Sequence, residues 1–229
     1  MRSAVRATAA ALAVSALLTA CVSSQASDGP ADGQAVGPGA TVATETAVGG
    51  PQEAEERGWR GTFVSDGYPI PAATFTDTHR RTVTLATAAD RPVTLIFFGY
   101  SHCPDICSIV LANIASALRG APAAVRQDVR VLFVTTDPAR DTPPVTRAYL
   151  DRFNAEFEGL IAPVDTVAAA AEALYLSYEE PDSRSGPTYK VEHATYTTGF
   201  LQGRAHVVWS ADTSVAALRA DLVRLAGLA

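Results

Sequence analysis

Val93-Thr94-Leu95-Ile96-Phe97-Phe98-Gly99-Tyr100-Ser101-His102-Cys103-Pro104-Asp105-Ile106-Cys107 passes from an unbroken apolar stretch into a polar turn carrying two cysteines. Branched and aromatic residues without polar alternation predict a central strand covered on both faces. Pro104 fits the first turn of a helix, where its missing N–H costs nothing. This puts Cys103 at the helix N-terminus and Cys107 one turn on, on the same face, so the sulfurs converge. Backbone N–H groups and the positive end of the helix dipole there favour a thiolate, Cys103 in particular. The C-terminal edges of strands in α/β sheets are also where such folds build their sites.

On either side, strand-like and helix-like patterns alternate from about Trp59 to Ala229. Ile109 to Leu118 repeats apolar residues at helical spacing and stops at Arg119-Gly120. Val129-Arg130-Val131-Leu132-Phe133-Val134 predicts a second central strand. Pro143 or Pro144 opens a helix through Phe153, and Val167 to Leu176 makes another. Thr195 to Leu201 and His206 to Trp209 form a hairpin around Gln202-Gly203, and Thr213 caps a terminal helix reaching Leu228. This order implies an α/β sandwich with a mixed central sheet. No repeat or second domain is visible.

The N-terminus has a different character. Arg2 and Arg6 precede an apolar stretch from Ala7 to Leu18, too short to span a bilayer, so residues 1–20 read as a secretory signal. Leu18-Thr19-Ala20-Cys21 then resembles the lipobox of bacterial lipoproteins, in which Cys21 becomes the acylated first residue; ordinary cleavage near Ala20 with a free Cys21 is the alternative. Residues 21–58 are rich in Ser, Gly, Pro, Ala, Thr and acidic residues and cannot bury enough surface to offset their ordering entropy. They read as an extended, self-repelling tether, leaving residues 59–229 as the folded domain. Hydrophobic residues make up 48% of the 229, which fits a globular domain. The net charge of −6 becomes −8 once Arg2 and Arg6 are removed. No Lys/Arg cluster offers the basic footprint that nucleic acid requires.

Acylation of Cys21 leaves one cysteine pair, Cys103 and Cys107. It suits two jobs, holding a soft metal or cycling through a disulfide. A merely structural disulfide is the plainer option in an exported protein, but closing so short a loop removes little chain entropy.

Gly99-Tyr100-Ser101-His102-Cys103-Pro104-Asp105-Ile106-Cys107 resembles the signature of the SCO/SenC family of copper-binding assembly factors for cytochrome c oxidase. Val134-Thr135-Thr136-Asp137-Pro138-Ala139-Arg140-Asp141-Thr142-Pro143 is similar to that family's segment after the second central strand, and Glu192-His193-Ala194-Thr195-Tyr196 to its late histidine motif. The likeness runs from about Pro69 to Leu228. It implies a thioredoxin-like fold with an inserted β-hairpin, a membrane-anchored domain facing outward, and copper held by Cys103, Cys107 and His193. It further implies delivery to the copper-site subunit of the oxidase, with a copper donor and a thiol reductant as other partners. Ser108 departs from the proline that many members carry after the second cysteine, but removes no ligand.

The donor chemistry agrees with that set. Two thiolates and one imidazole suit Cu(I), and with a weak extra ligand Cu(II). A structural zinc would ordinarily have four protein ligands. Of the other histidines, His102 adjoins Cys103 and is badly placed to face the same ion, though it could tune the thiolate. His79 sits in what reads as an exposed hairpin turn, and His206 on the solvated face of a strand. His193 follows a polar stretch, Glu179 to Lys190, that could carry it to the sulfurs. Asp137 and Asp141 flank the tip of the second central strand. They could support the ligand histidine or attract a cation, or serve only as a turn residue and a helix cap.

The leading expectation is a copper metallochaperone. A thiol-disulfide oxidoreductase is the alternative, in which Cys103 attacks and Cys107 resolves; the pair has three intervening residues where thioredoxin-type enzymes have two. A thiol peroxidase would place Thr where Tyr100 stands. A copper-responsive regulator or redox sensor would share the same ligands.

Overall fold

A computed structural model describes residues 58–181 and 189–229. The signal, Cys21 and the tether up to residue 57 lie outside the described residues. The strands are β1 (Thr62–Phe63), β2 (Thr74–Asp77), β3 (Thr82–Thr84), β4 (Val93–Gly99), β5 (Val129–Thr135), β6 (Glu158–Ile161), β7 (Thr197–Leu201) and β8 (Arg204–Trp209). The helices are α1 (Leu85–Ala88), α2 (Ile106–Arg119), α3 (Ala123–Asp128), α4 (Pro143–Leu150), α5 (Val164–Ala173) and α6 (Val215–Ala226). One sheet carries every strand in the order β1-β8-β7-β4-β5-β6-β2-β3. β4 pairs in parallel with β5, and β5 with β6, while β7 runs antiparallel to β4. The expected mixed α/β sandwich is the observed architecture.

All seven residues of β4 are buried because helices cover both faces of the sheet. Val93, Leu95 and Phe97 point into one layer with Val110, Leu111, Ile114, Leu218 and Leu222. Ile96 and Phe98 point into the other, with Phe75, Leu160, Val167 and Phe200. Each such side chain, fully withdrawn from water, contributes about 1.5–3 kcal/mol. The unbroken apolar run is thus the signature of a strand with two cores.

Several boundaries differ from the sequence reading for identifiable reasons. α2 begins at Ile106, with Asp105 as its N-cap residue, so Cys103 lies in the turn before the helix rather than in its first turn. α4 stops at Leu150 rather than Phe153, because the amides of Phe153 and Asn154 both turn back to the Leu150 carbonyl. α5 spans Val164–Ala173 rather than Val167–Leu176. It ends where Tyr175 takes a left-handed φ of 56° and the Leu176 amide reaches the Ala171 carbonyl, a helix ending that usually employs glycine. α6 is capped by Ser214, whose hydroxyl accepts from the Ala217 amide at 3.2 Å, and not by Thr213.

The β7–β8 hairpin turns on Gln202-Gly203 as expected, both with positive φ, in the two-residue form that matches strand twist. Gly203 has open space around it, so conformation alone selects glycine there. A second hairpin, β2–β3, turns through Thr78-His79-Arg80, with Arg80 at φ 64°. A separate antiparallel bridge joins Tyr178 to His193, with Glu179 N donating to Glu192 O at 3.0 Å and Ala194 N to Ser177 O at 2.7 Å. His193 is therefore fixed in a two-stranded stem and not at the start of β7. Finally, buried Asp221 on α6 accepts from Arg60 N, Gly61 N and the Trp209 indole N–H, closing the first residues of the domain onto its last helix.

Candidate metal centre

β4 ends at Gly99, and the chain turns through Tyr100-Ser101-His102 before reaching Cys103. The Cys103 amide donates to the Tyr100 carbonyl at 3.2 Å, folding the turn back over the strand end. Cys107 is the second residue of α2 and fully buried; Cys103 is half-buried. Both sulfurs are free thiols. A Cβ on Gly99 would come within 3.0 Å of Cys107 Sγ, Phe133 and Phe97, so glycine leaves the space that this sulfur uses.

His193 reaches the pair from the Tyr178–His193 stem. Its Nε2 lies 3.6 Å from Cys107 Sγ, and its Nδ1 lies 2.8 Å from the Ala194 carbonyl. A carbonyl only accepts, so Nδ1 carries a proton, and Nε2 is the nitrogen that faces the sulfurs, a lone-pair donor to a metal when bare and a hydrogen-bond donor to a thiolate when protonated. The edges of Tyr100 and Phe97 hold the ring, with centroids 5.8 and 6.3 Å away. The donor atoms of Cys103, Cys107 and His193 all lie within 4.8 Å of one another. An ion bound at about 2.1–2.3 Å would hold three trigonal donors about 3.8 Å apart, so the trio needs only a small contraction to close on one.

The thiols are electrostatically unequal. Cys103 is pulled down to about 3, first by the hydrogen bond from Cys107, then by His193 and the amides of Asp105 and Cys107, against the opposing effect of burial. Cys107 moves the other way, because its proton is held by Cys103 and because burial penalises its charge. The expected direction for Cys103 is thus present. Its leading cause is the neighbouring thiol, and the helix amides come after His193.

The two aspartates have roles that the sequence reading did not separate. Asp141 is fully buried; it accepts from the Ser101 amide at 2.9 Å, from Thr135 Oγ1 at 2.7 Å and from the Ser101 hydroxyl. It therefore ties the turn before Cys103 to the end of β5. It does not cap α4, whose N-cap residue is Thr142. Asp137 is equally buried and accepts from the Tyr189 hydroxyl at 2.6 Å and from Arg140 Nε. Its carbonyl accepts the amides of Arg140 and Asp141, the turn foreseen for Asp137-Pro138. Neither carboxylate hydrogen-bonds His193 among the described residues.

The remaining histidines lie elsewhere. His102 is exposed and leans on Ser101 Oγ at 2.9 Å and on Asp141 at 3.7 Å, away from the sulfurs. His79 sits in the β2–β3 turn, largely exposed, as expected. His206 departs from its expected solvated face. It is half-buried between the rings of Trp59 and Phe63, both 5.2 Å away, and burial lowers its pKa.

Three residues at the site had no role of their own in the sequence: Gly99 and Arg140, seen only as members of the quoted motifs, and Tyr189. Arg140 stacks over the Tyr189 ring at 3.7 Å and donates to the Tyr189 carbonyl at 3.1 Å.

A family model described as SCO1/SenC matches residues 71–224. The protein SenC of Rhodobacter capsulatus is 36% identical over 116 residues, covering 49% of this chain and 52% of that protein. The chain spans about half or less of the length of the curated relatives it matches. Among solved structures, that of apo Sco1 from Thermus thermophilus superposes with a TM-score of 0.64 at 29% identity, covering 75% of this chain and 97% of that one. The copper-bound ScoI of Bradyrhizobium japonicum gives 0.58 at 28% identity, covering 69% and 98%. These neighbours also place the sheet and its helices in the thioredoxin-like class. Because the matched stretch runs through both cysteines and the histidine, the chain belongs to the SCO1/SenC family.

Proposed function

We propose that the protein is an extracytoplasmic copper metallochaperone that holds Cu(I) or Cu(II) through Cys103, Cys107 and His193 and hands it to the copper-site subunit of cytochrome c oxidase. The observation that carries this reading is the convergence of two sulfurs and an imidazole nitrogen within 4.8 Å at the end of β4. Two soft sulfurs with one nitrogen favour copper over hard cations. The half-exposed Cys103 leaves a path by which a partner's ligands could replace this chain's one at a time. A relative solved with copper bound supports the choice of ion. The acylated Cys21 and the tether of residues 21–58 would keep the domain on the outer face of the cell membrane. A copper donor would load the site, and a thiol reductant would keep the pair open in an oxidising compartment.

The unequal thiols favour a second reading. Cys103, ionised, could attack a disulfide of the oxidase subunit, and Cys107 could then displace the mixed disulfide with loss of its proton. The partner leaves with two thiols and this chain with a disulfide, which the thiol reductant must reopen.

Anaerobic copper titration of the reduced protein, followed by absorbance and EPR, tests the assignment. Wild type should bind one equivalent with a thiolate-to-Cu(II) band. Cys103→Ser or Cys107→Ser should abolish tight binding, and His193→Ala should lose about 10- to 100-fold in Cu(II) affinity while still forming the disulfide. Stoichiometric copper in either serine variant would rule the site out. No tight binding by wild type, with fast dithiol–disulfide exchange, would favour the reductase.

A further inference from the structure

The turn Asp137–Asp141 touches both halves of the site. Through Asp141 it grips Ser101, two residues before Cys103. Through Asp137 and Arg140 it grips Tyr189, four residues before His193. The grip on Tyr189 has three parts: its hydroxyl donates to buried Asp137 at 2.6 Å, its carbonyl accepts from Arg140 Nη2 at 3.1 Å, and its ring lies under the guanidinium at 3.7 Å. Arg140 is itself held by Asp137 through Nε. Burial and the bond to Asp137 raise the Tyr189 phenol to about 12, so it remains a donor throughout the physiological range. Two residues further on, Val191 N donates to the Tyr100 hydroxyl at 3.3 Å, and Tyr100 in turn edges the His193 ring.

We propose that Asp137, Arg140 and Tyr189 form a latch that seats the 189–194 arm, so that its closure decides whether the site presents two sulfurs and an imidazole or the sulfurs alone. The physical case rests on leverage. Cys103 and Cys107 are placed by β4, α2 and Asp141, none of which needs the arm. His193 is flanked on both sides by its short stem, through Glu192 O and Ala194 N, and this latch extends that hold back to Tyr189. Releasing Tyr189 therefore loosens the stem and the imidazole it carries, while β4 and α2 keep Cys107 in place. Because the imidazole is one of the three donors, its release would leave a two-sulfur site, so the latch sets how firmly copper is retained. These are positioning residues, acting on the ion only through His193. The copper arm of the argument rests on the proposed function; the seating of the arm does not.

The test uses Tyr189→Leu, which removes the hydroxyl and the ring but leaves the Arg140–Asp137 pair intact, with Tyr189→Phe as the conservative variant that keeps the ring stack. Arg140→Gln is the more severe change, since it leaves the buried Asp137 carboxylate without its cationic partner. In the copper-free reduced protein, hydrogen exchange at the Val191 and Ala194 amides should speed up about tenfold or more in Tyr189→Leu, with exchange in β4 and β5 unchanged. Tyr189→Phe should fall between the two. With copper, Tyr189→Leu should lose about tenfold in Cu(II) affinity and its thiolate-to-Cu(II) band should move toward that of His193→Ala. Wild-type exchange in Tyr189→Leu overturns the latch. Faster exchange with a wild-type Cu(II) spectrum also overturns it, because His193 would then be seated by other means. If wild type binds no copper, the metallochaperone reading fails and the exchange arm alone decides the latch.

Discussion

Cys103 and Cys107 sit four residues apart and behave as opposites. One is half-exposed and ionised down to about 3; the other is buried and holds its proton. The asymmetry predicts a chemical signature. Alkylation by iodoacetamide follows the thiolate fraction, so its rate at Cys103 should stay flat between pH 8 and pH 5, where a free thiol would slow about tenfold per unit below its usual pKa of about 8.5. Cys107→Ala should restore a steeper dependence, because it removes the S–H that stabilises the Cys103 thiolate. A tenfold fall per unit in wild type would show the thiolate is not stabilised. The same shift has a stability consequence whose sign is fixed. A thiol whose folded pKa lies below its unfolded value contributes fully above the unfolded value, and that contribution is lost as the pH falls through about 3.

At the scale of elements, the site depends on how closely β4 and α2 approach, and Gly99 is where that approach is tightest. A Cβ there would press on Cys107 Sγ, Phe133 and Phe97 at 3.0 Å, all of them side chains wedged in a filled core. Gly99→Ala should therefore cost about 1–3 kcal/mol in urea denaturation and weaken copper binding by displacing the Cys107 sulfur. Wild-type stability together with wild-type binding would show that the core yields freely at this point. β4 and β5 were legible in the sequence because burial on both faces leaves an unbroken apolar run, and the Gln202-Gly203 hairpin was legible because its turn demands positive φ. β6 was not, being four residues of mixed polarity toward the sheet's flank, and the short β2 and β3 showed only through the hairpin turn at His79. The convergence of the cysteines was read correctly through a mistaken element: Pro104 suggested a helix start, but the helix begins two residues later and the turn held by Asp141 supplies the curvature. Tyr189 was invisible for a different reason. Nothing local in a polar stretch marks one tyrosine as the residue that will meet Asp137 across the fold.

For the whole molecule, the proposed anchor and the folded domain make separable demands. If Cys21 is the acylated residue, Cys21→Ser should move the protein from the membrane fraction to the soluble one without altering copper binding, and continued lipid labelling of that variant would remove the anchor from the account. The domain itself is closed by Asp221, whose carboxylate accepts from Arg60 N at 3.0 Å, Gly61 N at 2.9 Å and the Trp209 indole at 2.8 Å. Arg224 lies over the Trp59 ring beside that strap, at 4.6 Å. These bonds join the first residues of the domain to β8 and the last helix, with Gly61 and Asp221 160 positions apart, and none of them reaches the cysteines or His193. Asp221→Ala leaves three donors with no acceptor in or beside a core, each costing about 1–3 kcal/mol. The variant should therefore lose about 3 kcal/mol or more, a drop in urea midpoint of about 1 M or more, while its folded fraction binds copper as wild type does. A stability loss under about 0.5 kcal/mol, the size of an ordinary surface change, would show that water satisfies these donors and that the strap is not what closes the domain. A full loss accompanied by a changed Cu(II) spectrum would couple the two ends of the sheet and make the N-terminal closure part of the site.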